Sequence, residues 1–98
     1  MDSVNFRDAV LAEVTFEDCL LRDVDFGGAT LKRASFPGSR LTRADFSRAT
    51  LEKVDLRGAD LEITAGYSSL RGAVINSAQL MAIAPMLARQ LGIDVKDA

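Results

Sequence analysis

The sequence predicts an all-β solenoid with four-sided coils of about 20 residues each, closed by a C-terminal α-helical cap. Three observations support this fold class. A bulky apolar residue recurs at every fifth position over most of the chain, whereas helices repeat at about 3.6 residues and strands at about 2. Phe and Leu alternate at that position in most of the repeats. The C-terminal part of the chain has instead the apolar spacing of a helix.

Each five-residue unit has two apolar positions and three polar positions. The bulky residue is called the centre here, and two positions before it stands a small or β-branched residue. If each unit forms one side of a coil, both apolar positions face inward, and neighbouring coils stack about 4.8 Å apart through backbone hydrogen bonds. The predicted core centres are Phe6, Leu11, Phe16, Leu21, Phe26, Leu31, Phe36, Leu41, Phe46, Leu51, Leu56, Leu61, Leu70 and Ile75.

The alternation of Phe and Leu predicts the number of sides in a coil. A coil needs an even number of sides if Phe is to stack on Phe. Two sides would leave no interior to fill, so four sides are expected. The four columns are then Phe6-Phe26-Phe46, Leu11-Leu31-Leu51, Phe16-Phe36-Leu56 and Leu21-Leu41-Leu61.

The segments ADFSR, VDLRG and ADLEI resemble the repeat of the pentapeptide-repeat family, which has Ala, Asp or Asn, Leu or Phe, and two variable residues. Twelve consecutive units keep this phase. The resemblance implies a right-handed quadrilateral parallel β-helix, in agreement with the four columns. We therefore expect residues 1–76 to form the pentapeptide-repeat β-helix.

The repeat loses its phase near residues 62–69 and resumes one residue out of step. Gly66 would fall at a centre, so a turn or bulge is expected from Thr64 to Ser68. Residues 77–92 predict the C-terminal helix, with Ser77 as its N-cap and a kink or a split at Pro85. Residues 93–98 are the expected tail.

The predicted helix has an apolar face and two possible roles. The face is formed by Leu80, Ile83, Leu87 and Leu91. It would cap the last coil, as solenoids require, and its surplus apolar surface also suggests dimerisation. The family resemblance implies the same role, since some members dimerise through a C-terminal helix. The first coil has no such cap, so dimerisation through the open N-terminal coil is the alternative.

Composition restricts the possible functions. The chain has 98 residues, a net charge of −2, no His and one Cys. We expect one cytoplasmic domain without cofactor, metal or enzymatic activity, and without direct binding to nucleic acid or membranes.

Asp25 and Asp45 occupy the same position one coil apart, and their carboxylates are candidates for cation binding. Hydrogen bonding within turns is the favoured interpretation for both.

Two functions from different classes follow from these patterns. The leading hypothesis is a protein-interaction or scaffold module, because a rigid four-sided rod presents chemically distinct faces to a partner. The net basic second side, with Lys32, Arg33, Lys53 and Arg71, is the candidate partner face. The family resemblance implies the alternative, a DNA mimic that binds DNA gyrase or topoisomerase IV and confers resistance to topoisomerase poisons. A mimic needs dense acidic charge, yet no side of the predicted rod is a continuous acidic stripe.

Overall fold

The computed structural model describes residues 2–97 as an elongated molecule of 45 × 25 × 24 Å. In residues 2–97 eight short strands precede one helix; most lie on one side of a coil, and the two longest continue across a corner into the next side. The strands are β1 (Val10–Ala12), β2 (Leu20–Arg22), β3 (Thr30–Lys32), β4 (Arg40–Asp45), β5 (Thr50–Glu52), β6 (Val54–Asp55), β7 (Asp60–Ala65) and β8 (Ala73–Val74), and the helix is α1 (Ser77–Gln90).

The strands form parallel sheets along the rod. Their orders are β1-β3-β5, β2-β4-β7 and β6-β8. In the first sheet Leu11 pairs with Leu31 and Leu31 with Leu51, an offset of one predicted coil. Isolated bridges continue the same offset on other sides, for example Asn5 to Asp25. The register therefore confirms the predicted coil length and the four-sided solenoid.

Aromatic columns fill one diagonal of the interior. Phe6, Phe26 and Phe46 stack with ring centroids 5.3 and 5.1 Å apart, and Phe16 stacks on Phe36 at 4.9 Å. The two columns meet edge to face, at 6.2 Å between Phe26 and Phe36. Both arrangements are favourable for aromatic pairs beyond their buried area. The alternation of Phe and Leu therefore gives two Phe columns in mutual contact.

The corners from the Phe6 side to the Leu56 side each have a residue with left-handed backbone geometry two positions after the centre. In the turn after Phe6, the Ala9 N–H donates to the Phe6 carbonyl at 3.0 Å, and Asp8 has φ 61°. A positive φ at this third turn position is typical of a type II turn and favours glycine. The corner residues with positive φ are Asp8, Glu13, Asp18, Asp23, Gly28, Arg33, Gly38, Arg43, Arg48, Lys53 and Gly58.

The phase break is an irregularity of the last coil. Strand β7 bulges opposite β4, since Ala44 pairs with Ile63 and Asp45 with Ala65. Gly66 follows with φ 86°, and a Cβ there would lie 2.2 Å from the carbonyl carbon of Phe46. A 3₁₀ turn over Tyr67–Leu70 then completes the side. Tyr67 is buried, and its hydroxyl donates to the Ile63 carbonyl.

Helix α1 differs from the expectation in its cap, and it is one helix. Asn76, not Ser77, is the N-cap: its side chain accepts from the Gln79 N–H, and the Gln79 side chain accepts from the Asn76 N–H. This reciprocal pair satisfies two helix-terminal donors, which a Ser77 cap would not. Pro85 lies inside one helix and does not split it. Met81 and Pro85 are both exposed, so water can hydrogen-bond to the carbonyl that lacks a donor. No helix in residues 2–97 has the length and apolar character to cross a membrane.

Candidate interaction surfaces

Five ion pairs join neighbouring coils of the rod. Residues one coil apart lie side by side, so an Arg in one coil reaches an acid in the next. The pairs that join coils are Arg7–Asp25, Arg22–Asp2, Arg33–Glu13, Arg40–Asp60 and Arg43–Asp23. All of these side chains are exposed except that of Asp25, which is partly buried, and such pairs contribute little stability each. Their main effect is to cancel charge locally on every face that carries them.

The candidate basic face is narrower than the sequence indicates. Arg33 pairs with Glu13 at 2.9 Å, so its charge is compensated. Lys32, Lys53 and Arg71 make no ion pair in the described chain, although Glu52 is the register partner of Lys32. These three cations are called the basic face below. Arg71 also lines a shallow cavity of about 280 Å³ with Ala49, Thr50, Leu51, Ser68 and Ser69.

Asp25 and Asp45 act as turn caps. They are paired as parallel neighbours, and each accepts a hydrogen bond from the backbone N–H two residues on, Gly27 at 2.7 Å and Ser47 at 2.8 Å. Hydrogen bonds from the Ser47 side chain and backbone hold the pKa of Asp45 below its usual 3.8, and Arg7 and Arg48 lower it further. Among residues 2–97 no group of His, Cys, Asp and Glu is arranged to hold a metal ion.

The predicted apolar face of α1 is divided between two environments. Ile83 is buried and Leu87 packs against the core, so this side of the helix covers the last coil. Leu80 is 48% exposed and Leu91 73% exposed. The Gln79 side chain donates to the carbonyls of Leu56 and Ala59 at 2.7 and 2.8 Å and anchors the helix to the rod.

A second apolar surface lies between α1 and the tail, and sequence reasoning did not find it. This C-terminal groove encloses about 640 Å³, and its lining is mostly apolar. Met81 is 74% exposed and Val95 75% exposed. The apolar residues of the tail could have indicated this surface from the sequence. They lie beyond the helix, however, so the helical spacing of apolar residues does not include them. The groove is lined by Met81, Ala84, Pro85, Ala88, Arg89, Ile93 and Val95.

The predicted centres are buried to different degrees along the rod. The middle coils are closed: the eight centres from Leu21 to Leu56 are all buried. The ends are less closed. In the first coil Phe6, Leu11 and Phe16 are only partly buried, and near the helix the same holds for Leu61, Leu70 and Ile75. The Cys19 thiol is free and partly buried in the first coil.

Comparison with known proteins identifies the family. A model of pentapeptide repeats matches residues 1–36 and 25–62, with eight copies. The chain belongs to the pentapeptide-repeat family. Its predicted fold, a right-handed quadrilateral β-helix with a C-terminal helix, is confirmed by this membership and by solved structures.

Two of those structures are trypsin-treated variants of QnrB1, a plasmid-mediated fluoroquinolone resistance protein. The first has 25% sequence identity and a TM-score of 0.52, and the match covers 97% of this pentapeptide-repeat chain and 47% of the QnrB1 chain. The second has 27% identity and a TM-score of 0.50, with coverages of 94% and 45%. The chain thus spans less than half the length of these QnrB1 chains. No curated protein matches it at a significant level.

Proposed function

We propose that this pentapeptide-repeat chain is a non-enzymatic protein-interaction or scaffold module whose partner binds the basic face. The observation that carries the proposal is the contrast between two sets of cations. Five arginines are used in ion pairs between coils. Lys32, Lys53 and Arg71 lie on one side of the rod without such partners. Uncompensated charge on a rigid face steers and orients an acidic partner.

Charge reversal at the basic face tests this function. The triple variant Lys32→Glu, Lys53→Glu, Arg71→Glu is expected to lose a partner captured by the tagged wild-type rod. The control is Arg48→Glu, which reverses a cation that makes no ion pair in the described chain and lies outside the basic face. The control is expected to retain the partner. Equal capture by both variants would contradict the proposal.

Topoisomerase binding is the second candidate function, and its support is the likeness to QnrB1. The charge pattern argues against mimicry of DNA, because the inter-coil ion pairs interrupt any acidic stripe. A gyrase supercoiling assay distinguishes topoisomerase binding from the interaction module. It is run with and without a quinolone over a titration of folded protein. Inhibition or drug rescue at low protein concentration would establish topoisomerase binding. No effect at high concentration would leave the interaction module.

We also propose that the module is a homodimer and works in the cytoplasm. The C-terminal groove is the favoured dimer surface, because its lining is mostly apolar and Met81 and Val95 are about three quarters exposed there. Met81→Lys with Val95→Lys places two charges in the groove, away from the core contacts of Ile83 and Leu87. Sedimentation is expected to show a dimer for wild type and a monomer for this variant. An unchanged dimer would exclude the groove.

A further inference from the structure

The shallow cavity beside Arg71 is lined by polar side chains that have no partner within the protein. It encloses about 280 Å³, and its polar groups are three hydroxyls and one guanidinium. In residues 2–97 the side chains that carry them make no hydrogen bond and no ion pair; they are Thr50, Ser68, Ser69 and Arg71. Four donor groups are therefore free around one space.

Two hydroxyls elsewhere on the rod show the contrast. The Ser39 hydroxyl donates to the Phe16 carbonyl at 2.6 Å, and the Thr64 hydroxyl donates to the Ala44 carbonyl at 3.2 Å. Both bonds join neighbouring coils and satisfy backbone groups of the solenoid. The hydroxyls of the cavity have no such structural role and are available to a ligand.

The phase break of the repeat forms this cavity. Regular coils pair at an offset of 20 residues, whereas β6 and β8 pair Val54 with Ala73, an offset of 19. The 3₁₀ turn over Tyr67–Leu70 takes up the difference and brings its two serines beside β5. Gly72 follows at φ 93°, and a Cβ there would lie 2.1 Å from the Leu51 carbonyl oxygen. The segment is therefore held tightly against the preceding coil, and the cavity is a fixed part of the fold.

The groups around the cavity fit an oxyanion. The Arg71 guanidinium has a permanent positive charge and a planar set of N–H donors, and each hydroxyl donates one hydrogen bond. None of the lining residues in the described part of the chain is acidic. A phosphoryl group offers three terminal oxygens and a charge near −2, whereas a carboxylate offers two oxygens and a single charge. The larger number of donors therefore favours a phosphoryl group.

The surroundings of the cavity favour a phosphoryl group that belongs to a protein. The cavity is shallow, so it would enclose only one end of a ligand. Lys53 and Lys32 lie along the same side of the rod, and Lys32 is two coils from Arg71, about 10 Å at the usual strand spacing. An extended segment spans this distance in about three residues. Acidic residues near the phosphorylated one would then meet the two lysines.

We propose that the cavity binds a phosphorylated serine or threonine of a partner protein, within a segment that also carries acidic residues. Arg71 pairs with the phosphoryl oxygens, and the hydroxyls of Thr50 and Ser69 donate to them. Lys53 and Lys32 contact the flanking acids. The inference rests on the proposed interaction function, and it adds the chemistry by which the partner is recognised.

One neighbouring acid opposes an anionic ligand. Glu52 is in register with Lys32, and the offset of 19 residues puts it beside Arg71. It makes no ion pair in the described chain and does not line the cavity. Glu52→Gln is therefore expected to strengthen binding of a phosphorylated ligand by about twofold, because a nearby like charge is removed.

Calorimetry and NMR with a synthetic peptide test the site. The probe is the acetylated and amidated peptide AEESEEA with its serine phosphorylated. The controls are the same peptide without phosphate, and inorganic phosphate alone. The phosphorylated peptide is expected to bind about tenfold more tightly than either control, since only it has both the phosphoryl group and the flanking acids. Its binding is expected to shift the amide signals of residues 49–53 and 68–72.

Two sets of substitutions separate the cavity from the charge of the basic face. Arg71→Gln is expected to weaken binding of the phosphorylated peptide by about tenfold. Thr50→Ala with Ser69→Ala retains every charge and is also expected to weaken binding by about tenfold, because two hydrogen bonds to a charged group are lost. The matched control is Thr30→Ala, which removes the hydroxyl of the register neighbour of Thr50, outside the cavity. The control is expected to leave binding unchanged.

Three outcomes would overturn the proposal. The first is equal binding of the phosphorylated and unphosphorylated peptides. The second is equal binding of inorganic phosphate and the phosphorylated peptide, which would assign the cavity to a small free anion. The third is unchanged affinity when the two hydroxyls are removed, which would assign binding to the charge of the face alone. The capture test of the charge-reversal variant uses the natural partner and has its own outcome, so the two proposals can fail separately.

Discussion

At the scale of single residues, the corners of the coil require a left-handed backbone conformation. This conformation is unfavourable for residues other than glycine, and only some corners have glycine. Every unit needs a left-handed residue two positions after its centre, yet only Gly28, Gly38 and Gly58 supply glycine in the regular coils. A non-glycine residue in this conformation costs about 1–2 kcal/mol. Asp and Asn tolerate it better than Arg or Lys. The corners are therefore sites where stability can be gained without touching the core.

Arg48→Gly is expected to stabilise the fold by about 0.5–1 kcal/mol, after allowance for the greater freedom of glycine in the unfolded chain. Arg48 has φ 58° and makes no ion pair in residues 2–97. Urea denaturation measures the change. The reciprocal variant is Gly58→Ala, at φ 82°, where a Cβ would meet nothing closer than 3.8 Å. It is expected to lose a similar amount through backbone strain alone, and equal stability of all three proteins would contradict the argument.

Asp45→Asn is expected to remove part of the acid sensitivity of the fold. The hydrogen bonds of Ser47 keep the folded-state pKa of Asp45 below 3.8, so ionised Asp45 stabilises the fold above that pH. This stabilisation is lost as the pH falls from 3.8 through the folded-state pKa. Asn5 accepts the same turn hydrogen bond from the Arg7 N–H, so an amide retains the turn. Thermal melts from pH 6 to pH 2.5 should show a smaller decrease for the variant. Parallel curves would exclude the role of Asp45.

At the scale of elements, the junction between the rod and α1 depends on one side chain. Gln79 completes the capping box with Asn76 and donates to two carbonyls of the last regular coil, Leu56 and Ala59. The Ala59 carbonyl lies where another coil would otherwise continue the hydrogen bonding, as the Asp60 N–H does at Ser39, whereas the Leu56 carbonyl also accepts from the Ala59 N–H. The helix thus closes the solenoid by satisfying its backbone as well as by covering apolar surface with Ile83.

Gln79→Ala is expected to destabilise the fold by about 1–3 kcal/mol, because the Ala59 carbonyl loses its donor, the Leu56 carbonyl keeps only the Ala59 N–H, and the helix loses half of its capping box. Hydrogen exchange should show a larger loss of protection in α1 than in the coils. The matched control is Gln90→Ala, at the exposed last residue of the same helix. A similar effect of both substitutions would show that Gln79 contributes helix propensity only.

The sequence predicts the coils much better than their ends. Columns such as Leu11-Leu31-Leu51 could be predicted because a strict period forces like residues to stack. The cap at Asn76 could not, since it depends on a Gln79 side chain that also bonds to the rod. The pairing of Arg33 with Glu13 was likewise missed, because the period places residues side by side but does not orient their side chains. Which cations remain without an ion pair depends on such orientations. The sequence therefore predicted the basic side of the rod, but not which of its cations are unpaired.

At the scale of the whole molecule, stability is expected to vary along the rod. Each coil contacts only its neighbours, so the energy is close to a sum of local and interface contributions. Phe26 stacks on two rings and meets Phe36 edge to face, whereas Phe6, in the first coil, has one stacked and one edge contact. The first coil can therefore unpair without disrupting the closed middle coils.

The same substitution at two positions, Phe6→Leu and Phe26→Leu, measures how stability varies along the rod. The loss at Phe26 is expected to exceed that at Phe6 by about 1–2 kcal/mol, because it removes more aromatic contacts from a fully buried site. Hydrogen exchange should show that Phe6→Leu lowers protection mainly at inter-coil amides such as Thr30, while Phe26→Leu lowers it throughout the rod. Uniform loss of protection in both variants would mean that the coils unfold as one unit. The first coil would then be as rigid as the middle of the rod.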